Sequence, residues 1–277
     1  MIKAVFLVTL LATALPAQAG LIVVSSISGA DPAAIQAGVD AYRTSLGTLN
    51  PNVAGSFGTG RREINWDGVP DMFSSPNNLP ANFFNVNSPR GVVFSTPGTG
   101  FQVSATAAVG NIEFNNINPT YSSSFQTFSP QRLFDPIGSN VTDVNFFVPG
   151  STTPAFVRSF GAIFTDVDLT GAPPACTSIQ AFNGATSLGT FCAPVANNGL
   201  SFLALFATPN DIITRVRIVT GNAALGPNDG GAVDVVAMDD FIYNEPVSLA
   251  AIPEPGSVIL FLSGAAGLLL WSRRRVG

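Results

Sequence analysis

Between residues 51 and 247 the chain is interrupted every few positions by Gly, Pro, Asn or Ser, so that no helical period can run for long. The segments left between these interruptions are short and rich in Val, Ile, Thr and Phe. They include GVVFS (91–95), FQVSATA (101–107), VTDVNFFV (141–148), GAIFTDVDL (161–169), SFLALFA (201–207), ITRVRIVTG (213–221) and VDVVAMDDFIY (233–243). Such residues suit a pleated, half-buried surface, and closely spaced turns connect neighbouring antiparallel strands without crossover helices. The expectation is a mainly β protein, an antiparallel β-sandwich or jelly-roll-like domain. Its core would be filled by many of the 22 phenylalanines.

One helix is expected before this region. After the strand-like LIVVSSI (21–27), Asp31 can cap a helix and Pro32 suits its first position; Ile35, Val39, Tyr42 and Leu46 then recur at helical spacing until Gly47. Farther on, ITRVRIV nearly alternates between apolar and polar residues but slips at Arg215 and Val216. That slip reads either as a bulge or as a misplaced strand boundary.

Composition removes several chemistries. The chain contains no histidine, which excludes Ser-His-Asp and Cys-His catalysis and any His-ligated zinc. Between residues 20 and 252 there are eight arginines, no lysine and sixteen carboxylates, a net charge of −8. Nucleic acid is not an expected partner, because phosphate binding needs clustered cations.

The beginning of the chain is expected to be cleaved. MIKAVFLVTLLATALPAQAG has one cation, a short apolar run and small residues at Ala17 and Ala19, the pattern of a secretory signal peptide cut between Ala19 and Gly20. Segment 1–19 is read as the signal peptide, 20–247 as the exported β-sandwich domain, 248–252 as a linker and 253–277 as a separate tail. Export makes an oxidised pair the natural reading of the two cysteines, Cys176 and Cys192, which lack CxxC spacing.

Two groups of residues are candidate sites. In GRREINWDGVPD (60–71), Trp66 could stack on a sugar face, with Arg62 and Asp67 supplying hydrogen bonds; the plainer alternative is that Arg61 pairs with Glu63 while Trp66 packs in the core. The second group is Asp166 and Asp168 in FTDVD with Asp239 and Asp240 in MDDF. Carboxylates from neighbouring strands could hold a structural Ca²⁺, or could be solvated turn residues. MDDFIY resembles the last strand of several jelly-roll carbohydrate-binding and adhesion-type modules, in which an acidic pair precedes an apolar strand and often helps hold structural calcium. No cofactor is required by anything else in the sequence.

The tail reads PEPGSVILFLSGAAGLLLWSRRR. As a helix, residues 256–271 would extend about 24 Å, short of a hydrocarbon core of ~30 Å, with Trp271 at an interface and the arginines on the cytoplasmic side. Pro253, Glu254 and Pro255, an apolar transmembrane helix, and Arg273, Arg274 and Arg275, in that order, resemble the PEP-CTERM sorting signal of Gram-negative bacteria. The resemblance implies transient anchoring at the inner membrane, processing by an exosortase near the Pro-Glu-Pro element, and delivery to the cell surface or exopolysaccharide matrix. It implies nothing about the chemistry of the β domain. For that domain the expectation is a non-enzymatic binding or structural module, with polysaccharide as a candidate partner. A secreted carbohydrate-active hydrolase using Asp and Glu is the alternative.

Overall fold

The computed structural model describes residues 23–251. Its strands in chain order are β1 (Val23–Gly29), β2 (Arg61–Ile64), β3 (Val92–Ser95), β4 (Gly100–Val103), β5 (Phe134–Ile137), β6 (Val141–Phe146), β7 (Ala155–Phe156), β8 (Ser159–Val167), β9 (Ser178–Asn183), β10 (Thr186–Cys192), β11 (Ala196–Phe206), β12 (Arg215–Val219), β13 (Ala237–Asn244) and β14 (Val247–Ser248). Among the described residues there is one long helix, α1 (Pro32–Leu46), between β1 and β2. The fold is mainly β, with antiparallel sheets and few helices.

The larger sheet has the order β1-β11-β8-β13-β5-β4. Strand β13 is flanked on one side by β8; on the other it pairs first with β5, through Met238 and Phe134, and then with β2, from Phe241 to Asn244. The second sheet has the order β10-β9-β12-β6-β3, and β7 and β14 form a two-stranded ribbon. The two larger sheets enclose one core in a sandwich-like arrangement. Phe134, Phe160, Phe164 and Phe241 contribute to it from the larger sheet, and Phe94, Val144, Phe146, Ile179, Val216 and Ile218 from the smaller.

The two sheets differ in how many faces they bury. In the smaller one, β6 and β12 alternate between buried and half-buried residues, as expected when one face meets water. Strand β8 is buried at every position because α1 covers the other face of the larger sheet. Ile35, Val39, Tyr42 and Leu46 of the helix pack there with Ile163, Leu200, Phe202 and Ile242. Asp31 caps α1, its carboxylate accepting from the Ala34 amide at 2.9 Å, and Gly47 ends it in a left-handed conformation. Gly161 permits the close approach, since a Cβ there would lie 3.0 Å from both the Tyr42 and Phe202 rings.

The slip in ITRVRIV is a boundary effect. Strand β12 starts at Arg215 and alternates cleanly, whereas Ile213 lies before it and bridges to Val157. Cys176 and Cys192 are joined, their Cα atoms 5.8 Å apart, at the open end of the β9-β10 hairpin.

No helix among the described residues is long and apolar enough to cross a membrane. The expected signal peptide with its Ala19-Gly20 junction, and the expected apolar span with Pro253, Glu254, Pro255, Arg273, Arg274 and Arg275, lie outside the described residues.

Candidate functional site

Of the two arrangements open for the stretch around Trp66, the structure has the packed one, with Arg61 paired to Glu63 and Trp66 in the core, rather than the sugar-stacking one. Trp66, two residues beyond β2, is 1% exposed and stacks on Phe134 with ring centroids 4.1 Å apart. Phe84 and Phe241 meet it edge-on, and its indole nitrogen donates to the Asp239 carbonyl at 2.9 Å. A ring enclosed in this way offers no face to a sugar. Arg62 is also fully buried, paired with Glu245. The Asp67 carboxylate accepts from the amides of Gln131 and Arg132, at 2.7 and 3.2 Å, and so secures the loop before β5. All three residues therefore have structural partners.

A different surface opens beside them. A groove of about 520 Å³ is lined by α1, the loop after it, the end of β2 and the segment around Phe128. At its centre the Arg43 guanidinium lies 3.1 Å from the Glu63 carboxylate and 2.9 Å from that of Asp240. Arg61 adds a second cation to Glu63, at 2.6 Å. Exposed Asn52 and Asn65 contribute amides that make no side-chain hydrogen bond among the described residues. Arg43 and Asn52 are not identifiable as site residues from the sequence, because nothing adjacent to them in the chain signals a pocket.

The four aspartates proposed as a metal site fall into two groups. Asp239 and Asp240 occupy a bulge where β13 slips by one residue against β8. Asp239 accepts from the Phe128 amide at 2.6 Å, and Asp240 from the Ser129 hydroxyl at 2.7 Å and from Arg43. Burial raises both carboxyls, that of Asp239 well above the usual carboxylate range, with the neighbouring Asp240 charge adding to the effect.

Asp166 and Asp168 instead gather with Asp229, one oxygen of each lying within 4.8 Å of the others. Three features of the chain produce this. Strand β11 bulges between Ala196 and Leu200, opposite Asp166. Asp166 itself has a φ of 67°, a left-handed conformation that departs from the alternation of β8. The glycine-rich loop GPNDGG then brings in Asp229, whose Oδ1 accepts from the Val235 amide at 2.8 Å. Beneath them, buried Asp234 receives the amides of Asp168 and Leu169 at 3.3 and 3.2 Å.

The electrostatics of this cluster are one-sided. None of the arginine ion pairs among the described residues involves Asp166, Asp168, Asp229 or Asp234. Burial, then the charges of Asp229 and Asp168, push the Asp166 carboxyl up to about 7; burial also pushes Asp234 up to about 6. Asp166 Oδ2 and Asp168 Oδ1 are buried without a hydrogen-bond partner. Asp229 could have been noticed in the sequence as an oxygen donor within a turn, but nothing local links it to FTDVD.

The decisive comparison concerns the end of the chain. Residues 251–275 match the PEP-CTERM protein-sorting motif. The PEP-CTERM match implies export and processing by exosortase, a membrane enzyme, with transient anchoring before delivery to the surface. It begins three residues beyond Ser248, the last residue of β14, and apart from residue 251 it lies outside the described residues. Neither a curated protein nor a solved structure matches the chain.

Proposed function

We propose that the exported β-sandwich is a non-catalytic binding module, placed by its sorting signal at the cell surface or in the extracellular matrix, where it holds a hydroxyl-rich polymer such as a polysaccharide. The observation that supports this reading is the polar groove. Its exposed Asn52 and Asn65 amides, which make no side-chain hydrogen bond among the described residues, line it together with an ion-paired Arg43, Glu63 and Asp240, a set of available and fixed polar groups suited to hydroxyl groups. Proposed binding at this groove replaces the expected contact through Trp66.

A glycan array probed with the full chain in detergent tests the reading. Binding that is lost in an Asn52→Ala, Asn65→Ala double variant, with no sugar released, supports it. Release of reducing sugar that is abolished by Glu63→Gln would instead assign a hydrolase to the same groove, and an array without any signal would reject polysaccharide. Mass spectrometry of the native C-terminus reports separately on sorting: a chain still ending in Val276 and Gly277 would contradict processing.

A further inference from the structure

The end of the sandwich where β8, the β11 bulge and the loop before β13 converge holds a group of carboxylates that nothing else in the protein explains. We infer that Asp166, Asp168 and Asp229 form a calcium site that fastens the 226–233 loop to the sandwich. The inference does not depend on the glycan reading, because the groove and this cluster share no residue.

Three observations carry it. First, the spacing admits one ion. Two oxygens bound to the same Ca²⁺ at about 2.4 Å can be no more than ~4.8 Å apart, and the three carboxylates offer oxygens within 4.8 Å of one another. Second, Asp166 is 1% exposed, yet its Oδ2 has no hydrogen-bond partner; the buried Oδ1 of Asp168 has none either. A buried carboxylate oxygen without a donor is costly, and a cation is the partner that three converging carboxylates leave room for. The remaining oxygen of Asp166 accepts from the Asn198 amide at 2.7 Å, which holds the side chain in place.

Third, the donors are chemically uniform. They are hard oxygens, the chain has no histidine, and both cysteines are consumed in the disulfide. Such a set selects Ca²⁺ over zinc, copper or iron. Donors that come from a bulge, a left-handed residue and a glycine-rich loop suit the variable coordination of Ca²⁺ better than the strict octahedron of Mg²⁺. Main-chain carbonyls and water would complete its shell.

The ion would also have a mechanical task. The loop carrying Asp229 is already held by Tyr121, whose hydroxyl donates to the Pro227 carbonyl at 2.9 Å, and by Asn118, whose amide reaches the Asn228 side chain at 2.8 Å. Calcium would tie the opposite side of that loop to β8, closing the small cluster of Phe114, Tyr121, Phe125 and Leu133 over the end of the larger sheet.

The test uses the full chain, purified in detergent and freed of metal with a chelator. Titration with calcium chloride followed by calorimetry should show one saturable site per chain, near the 10⁻⁴ to 10⁻³ M range roughly typical of extracellular calcium modules. Asp229→Asn keeps an oxygen for the Val235 amide and should weaken binding by about tenfold or more, because ligand charge sets affinity. Asp166→Asn should do the same. Calcium should protect residues 222–233 from a broad-specificity protease in the wild type and not in Asp229→Asn. If Asp166→Asn does not fold, the wild-type titration and Asp229→Asn decide. No saturable binding by the wild type would overturn the site in favour of carboxyls that share protons. Binding unchanged in Asp229→Asn, or equally tight for Mg²⁺, would overturn it as well.

Discussion

Arg62 and Glu245 form a two-pronged ion pair inside the protein, Nε to Oε2 at 2.5 Å and Nη2 to Oε1 at 2.8 Å, with neither side chain more than 1% exposed. The arginine belongs to β2 and the glutamate follows β13, so the pair joins two strands that are 183 residues apart in sequence. The rest of the guanidinium is satisfied by the carbonyls of Pro51, Pro89 and Gly55, and the glutamate also receives Asn50 and the Phe57 amide. One ion pair therefore gathers Asn50, Pro51, Gly55 and Phe57 of the loop between α1 and β2.

Removing either partner leaves a buried charge without compensation. Arg62→Ala or Glu245→Ala should cost ~3–5 kcal/mol. The paired replacement Arg62→Met with Glu245→Leu should recover much of that loss. Chemical denaturation of the four proteins checks this, and a double variant as unstable as the sum of the singles would show that the charges themselves are needed.

Trp66→Ala should act as a core deletion, costing ~3–5 kcal/mol. Any loss of ligand binding should follow unfolding. Trp66→Phe should fold but lose the bond to the Asp239 carbonyl. If instead Trp66→Ala kept its stability and lost glycan binding, the enclosed position of the ring would be the wrong explanation.

Asp135 on β5 gives a pH-dependent prediction. It is 1% exposed and its Oδ1 has no partner; burial raises its carboxyl well above the usual range, against the effect of the Thr220 hydroxyl. Tyr121 lies near enough to feel its charge, and no cation among the described residues pairs with it. Because the folded state holds this proton more tightly than the unfolded one, stability falls as pH rises above the unfolded value of about 3.9 and levels off above the folded value. Asp135→Asn cannot titrate, so its melting midpoint should gain on the wild type as pH is raised from 3.5 to 8, by roughly 2–4 °C for each kcal/mol removed. A difference that does not change with pH would refute the assignment.

Replacing both Cys176 and Cys192 by Ser should lower stability by about 3 kcal/mol, the value expected for a closed loop of this size. Urea unfolding with and without reductant checks it. An unchanged midpoint would mean that the β9-β10 pairing already supplies the constraint.

Local features were the legible ones. Helix α1 carries its own cap, proline, apolar stripe and terminal glycine within residues 31–47, so neighbours in the chain specify it. The β character was also visible, because short Val, Ile, Thr and Phe segments are set by the chain itself. What could not be read were relationships between distant residues. The stretch around Trp66 looks polar because Arg62 is charged, and only Glu245, far along the chain, turns that charge inward. Asp239 and Asp240 look equivalent to Asp166 and Asp168 in sequence, yet a one-residue bulge directs them to Arg43 and Ser129, while a left-handed Asp166 faces Asp229 instead.

The β7-β14 ribbon, the Arg62–Glu245 pair and β13 place successive points of attachment along the C-terminal side of the domain. A pull on residue 251 meets first the two residue pairs of β14 with β7, then the Arg62–Glu245 pair, and only afterwards β13 in the middle of the larger sheet. Tension applied through this end would load the two-pair ribbon before the sheets behind it.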